Sequence, residues 1–86
     1  MNTVSIKTKA ELKRLPVGTK LQLIHTLLGP TKKFRVIKKV ASNYLIFTTE
    51  DNKDSYLYLN GKFESTKDGF RILEDSRIAA EYLVYA

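Results

Sequence analysis

Eighty-six residues without a cysteine leave room for one hydrophobic core and exclude disulfides, thiolate metal sites and thiol nucleophiles, so the chain reads as a single domain, residues 1–86, in a cytoplasmic setting. No apolar run approaches the ~18 residues of a spanning helix and the first residues lack a signal-peptide core, so no membrane role is expected. The net charge of +6 is unevenly spread: residues 1–43 carry ten Lys or Arg and one acid, Glu11, whereas residues 44–86 carry five and eight; such asymmetry predicts a positive surface that attracts an anionic partner.

At residues 3–7, Val4 and Ile6 alternate with polar neighbours, the pattern of a short edge strand. Thr8-Lys9-Ala10-Glu11 is a capping box, in which Thr8 accepts from the Glu11 amide and Glu11 reaches back to the Thr8 amide; it opens a helix that Pro16 stops within two turns. Leu15-Pro16-Val17-Gly18 reads as a turn with proline second, feeding a strand over residues 19–28 with Leu21, Leu23 and Leu27 on one face and His25 between them, ended by Gly29-Pro30. Over residues 34–40, Phe34, Val36 and Val40 point together with Arg35, Ile37 and Lys39 opposite, and Lys38 interrupts the apolar side, predicting a bulge or an exposed strand end.

After the Ser42-Asn43 turn, residues 44–49 are rich in β-branched and aromatic side chains and carry the strongest strand signal. An acidic loop, residues 50–54, leads into residues 55–59, whose alternation sets Leu57 and Leu59 on one face and Tyr56 and Tyr58 on the other. Asn60-Gly61 predicts a type I′ hairpin with residues 63–65 pairing back, and Asp68-Gly69 turns into a strand over residues 70–73. In residues 78–86, Ser76 offers a cap for a helix through Ala79 and Ala80, while Tyr82-Leu83-Val84-Tyr85 prefers a strand; β-propensity favours a closing strand. The sum is a mostly β (α+β) fold: a small antiparallel barrel or rolled sheet, SH3-like in size, with one short N-terminal helix.

Catalysis needs a nucleophile with its base, a carboxylate pair or clustered metal ligands, and none is spelled out, so no enzyme activity, cofactor or metal is expected. His25, the sole histidine, lies within an apolar strand and reads as a packed or edge imidazole with one hydrogen bond. Glu50, Asp51 and Asp54 depart from calcium-loop spacing, with Lys53 among them, and read as a solvated turn. What remains is a basic stretch in which Lys32, Lys33, Arg35, Lys38 and Lys39 are suited to neutralising phosphates or meeting an acidic partner. Tyr56 and Tyr58, if exposed, are suited to stacking bases or to a protein interface; packing under Tyr82 and Tyr85 is the other possibility. Lysines are also what an exposed edge strand carries against edge-to-edge pairing, which favours a monomer.

The run Lys7-Thr8-Lys9-Ala10-Glu11-Leu12-Lys13-Arg14-Leu15-Pro16-Val17-Gly18-Thr19-Lys20-Leu21 resembles short uncharacterised bacteriophage and prophage proteins that open with a helix and an L-P-x-G-T-x-L turn into a strand. Val40-Ala41-Ser42-Asn43-Tyr44-Leu45-Ile46-Phe47 is similar in kind. The resemblance implies a bacterial-cell cytoplasm and a small accessory role, and carries over no functional residue. The expected function is a non-enzymatic binding module: a protein-interaction modulator of a host factor with an acidic surface, or alternatively a nucleic-acid-binding small barrel contacting phosphates through its basic half.

Overall fold

A computed structural model describes residues 2–86. The chain opens with an extended segment that makes one bridge, Thr3 to Tyr85, rather than a strand over residues 3–7. It crosses the ends of later strands instead: the Val4 amide donates to Val84 (2.9 Å), the Ile6 amide donates to Gly69 (3.0 Å), and Ile6 is buried. Helix α1 (Lys9–Lys13) follows, with the Thr8 hydroxyl accepting from the Glu11 amide at 3.1 Å. Among the described residues the reciprocal bond of a capping box is not made. The helix ends with the Arg14 and Leu15 amides donating to carbonyls three residues back, ahead of Pro16.

The next turn begins one residue later than its sequence suggests. The Thr19 amide donates to the Pro16 carbonyl (3.1 Å), so Pro16 is first and Gly18, at φ +96°, takes the third position where a left-handed conformation is needed. Seven antiparallel strands then form one curled sheet, a half-barrel: β1 (Lys20–His25), β2 (Gly29–Val40), β3 (Tyr44–Thr49), β4 (Asp54–Tyr58), β5 (Lys62–Thr66), β6 (Gly69–Glu74) and β7 (Arg77–Val84), in the order β4-β3-β2-β1-β7-β6-β5. The C-terminal segment is thus a strand, and it pairs with β1 through Leu21 and Val84.

Three expectations are corrected. The strand expected over residues 19–28 stops at His25, because the His25 Nδ1 accepts from the Leu27 and Leu28 amides (3.2 and 3.3 Å) and Gly29, at φ +78°, reverses the chain. Gly29-Pro30 therefore opens β2 instead of closing β1, and Leu27 stands in solvent. The faces of β2 are the reverse of those expected: Ile37 is buried while Val36 is exposed, because Ile37 lies opposite Phe47, a core residue of β3. The bulge predicted at Lys38 is present between Ile37 and Lys39, and it returns Val40 to the core side.

Asn60-Gly61 is not a hairpin. β4 and β5 are the two ends of the sheet order, and among the described residues β5 pairs only with β6. Gly61 does not have positive φ; a Cβ there would collide with the Leu73 carbonyl oxygen, so glycine is demanded by close packing. Three residues, 59–61, carry the chain from one edge to the other, a span of at most about 14 Å for extended backbone. That short tether forces the sheet to roll. Lys9 of α1 binds it, its Nζ donating to the carbonyls of Leu59 (2.6 Å) and Gly61 (3.3 Å).

The concave side is the core. Leu21, Ile37, Leu45, Phe47, Phe70 and Val84 are fully enclosed, with Leu12 of α1 and Ile6 closing it from below. Tyr82 packs its ring edge on Phe47 (5.5 Å between centroids) and lies against Phe70 (5.8 Å). Burial raises the Tyr82 phenol above its ordinary 10.0, partly offset by the Arg35 guanidinium.

Candidate functional site

Because Leu45 and Phe47 of β3 and Leu57 of β4 point into the core, strand alternation sends Tyr44, Ile46, Tyr56 and Tyr58 to the convex outer face. The registers align them: Tyr44 is opposite Tyr58, and Lys39, Ile46 and Tyr56 form one row across β2, β3 and β4. Tyr56 and Tyr58 are 51% and 56% exposed, which excludes packing under Tyr82 and Tyr85. Their rings lie 6.3 Å apart and nearly parallel, at 17°, and Tyr44 leans on both at 5.7 and 6.0 Å. Tyr44 is the member of this trio that sequence reasoning missed; its place two residues from Ile46 and next to inward Leu45 is the signal that marks it.

The five expected cations do not form one surface. Lys39 lies in the tyrosine row and enters no ion pair among the described residues. Lys38, at the bulge, reaches Asp54 on the same side (2.9 Å). Lys20 also belongs to the outer face, its Nζ 4.3 Å from the centroid of the Phe34 ring. Arg35, in contrast, is opposite Leu21 and Thr49 on the inner side. One of its terminal nitrogens donates to the Phe34 carbonyl (3.1 Å), and its buried Nε has no partner among the described residues.

Lys33 and Arg35 line an open groove of mixed charge together with Lys53 and the acids Glu50, Asp51 and Asp54. Glu50 also accepts from the Phe34 amide (2.9 Å). Lys32 is exposed in an irregular stretch of β2, where residues 31–33 lie opposite the single residue Leu23 of β1, between the pairs Gln22–Phe34 and Ile24–Pro30. Lysine is not serving as an edge guard here, because β2 is the third strand of seven and not an edge.

The remaining sequence features resolve simply. The acidic loop is a tight turn in which the Thr49 amide donates to Lys53 (2.8 Å) and Asn52 takes φ 60°. His25 is an exposed strand-end imidazole that accepts two amides rather than one, and orders a tip whose Leu27 and Leu28 are 88% and 81% exposed. No group of three or more metal-ligating side chains occurs among the described residues, and no helix is long and apolar enough to cross a membrane.

Chemically, the outer face of β2, β3 and β4 offers parallel aromatic planes suited to flat ligands and cations placed beside them for anions. It offers no clustered arginines for bidentate base reading. The chain matches no protein-family model, no curated protein and no solved structure.

Proposed function

We propose that this chain is a non-enzymatic binding module that takes single-stranded nucleic acid on the outer face of β2, β3 and β4, as a phage-type accessory protein of the host-cell cytoplasm. The observation that carries this reading is the row Lys39-Ile46-Tyr56, which sets an unpaired cation two strands from half-exposed, stacked tyrosines. Bases stack on Tyr56 and Tyr58, a phosphate lies at Lys39, and the net charge of +6 draws the strand in. Sequence preference is weak, because every base has a stacking face.

Fluorescence anisotropy with random-sequence DNA and RNA oligonucleotides, titrated with salt, tests it. Affinity falls with salt, and Lys39→Ala reduces the log–log slope by about 0.7, the share of one phosphate on a single strand. Tyr56→Ala weakens binding by about 1–3 kcal/mol. Absence of binding at low salt overturns the reading.

A second reading, docking on an acidic host protein, is favoured by the Leu27-Leu28 tip, an exposed apolar projection beside exposed Lys32 and Lys33. In a nuclease-treated lysate, a partner kept by Tyr56→Ala and lost by the Leu27→Ser, Leu28→Ser double variant supports that reading over the first.

A further inference from the structure

The two edges of the sheet are treated differently. On β5, the first residue is a lysine, Lys62, and the N-terminal segment lies against the far end: the Ser5 hydroxyl donates to the Thr66 carbonyl (2.6 Å) and meets the Ser65 hydroxyl (2.9 Å). β4 has neither device. Its sequence, Asp54-Ser55-Tyr56-Leu57-Tyr58, contains no lysine and no proline, and among the described residues it pairs only with β3. Natural sheets guard open edges with such residues or with a covering segment, so an unguarded, regular edge strand is a pairing surface.

The free hydrogen-bonding groups of β4 can be assigned. The Leu59 amide donates to Asn43 (2.9 Å) and the Lys53 carbonyl accepts from Thr49 (2.8 Å), both across to β3 or its continuation. Antiparallel ladders alternate, so Ser55 and Leu57 also turn their amides and carbonyls toward β3. Asp54, Tyr56 and Tyr58 turn theirs away from the sheet.

We propose that β4 pairs antiparallel with β4 of a second copy about a two-fold axis at Tyr56. The arrangement is self-complementary: Tyr56 faces Tyr56 of the other copy, and Asp54 faces Tyr58 in both directions, which gives about six main-chain hydrogen bonds. No like charges are opposed, since Asp54 is the only charged residue of the strand and Lys38 already neutralises it. The half-exposed tyrosines of both copies then form one continuous outer stripe, with Lys39 at either end. This pairing stands on the geometry of the edge and does not depend on what the outer face binds.

Sedimentation equilibrium without nucleic acid tests the proposal. The wild-type mass rises toward that of a dimer with concentration, and rises more steeply at high salt, because two copies of charge +6 repel until salt screens them. That dependence is opposite in sign to the one expected of nucleic-acid binding, so the two ideas fail separately. Tyr56→Lys and Tyr56→Glu each set like charges face to face at the axis and reduce association at least about tenfold. An equimolar mixture of the two restores it as a heterodimer. Tyr56→Pro removes an amide that points away from β3, so it abolishes dimers without taking a ladder bond from the sheet. A wild-type protein that remains monomeric up to about 1 mM, the weak end of specific association, overturns the proposal. So does a dimer that persists in Tyr56→Lys, or a Lys/Glu mixture that stays monomeric.

Discussion

Asp75 and Ser76 both adopt left-handed backbone, at φ 50° and 65°, in the two-residue connection between Glu74 and Arg77. That is the type I′ conformation, whose twist suits a two-residue hairpin and whose favoured sequences place glycine second. Serine there carries the Cβ clash that glycine lacks. Ser76→Gly is therefore expected to stabilise the protein by about 1 kcal/mol, read as a higher urea midpoint with an unchanged slope. A lower midpoint would mean that the Ser76 side chain contributes more to the loop than its backbone strain costs. Sequence reading assigns the type I′ turn to Asn60-Gly61 and offers Ser76 only as a helix cap. The dipeptide preference is a local signal, and it is outvoted at residues 60–61 by the need to cross between sheet edges.

At the level of elements, β3 to β7 were legible to within a residue or two, whereas the alternation at residues 3–7 makes only a bridge, β1 ends three residues before the expected Leu28 and β2 starts five residues before Phe34. β3 needed nothing beyond its own composition, and the β4 tyrosine and leucine faces follow directly from its period of two. β2 was legible as a strand but not in its orientation, because Phe34, Val36, Ile37 and Val40 supply apolar residues to both sides and only the register against β3 chooses between them. That choice divided the expected cation site: it turned Arg35 inward and left Lys38 and Lys39 with the tyrosines. Gly61 shows the same dependence on tertiary context. Gly61→Ala is expected to destabilise by about 1–3 kcal/mol through overpacking against Leu73 and Ile72. Asn60→Ala, at an exposed position without positive φ, should shift the midpoint by less than about 0.5 kcal/mol. A type I′ turn would make both substitutions costly, so thermal or urea melts of the pair decide between packing and turn geometry.

For the whole molecule, the joint between α1 and residues 59–61 holds the rolled sheet in shape. A five-residue helix has no stability of its own, so α1 persists because Leu12 is fully buried and Lys9 is tied to the Leu59 and Gly61 carbonyls. Those carbonyls lie on the only covalent link between the two sheet edges, so the helix fixes how tightly the sheet curls and how far β4 stands from β5. Leu12→Ala should cost about 2–5 kcal/mol by cavity formation, a large share of the roughly 5–10 kcal/mol available to a domain of this size. Lys9→Met keeps the stem and removes the donor, for about 1 kcal/mol. If both act on one joint, the double variant loses less than the sum of the singles, because the first change already frees the helix that the second would loosen. Urea unfolding of the four proteins of this cycle measures the coupling. Strict additivity would show that Lys9 and Leu12 act independently, and that closure of the half-barrel rests on its core and its short tether without help from the helix.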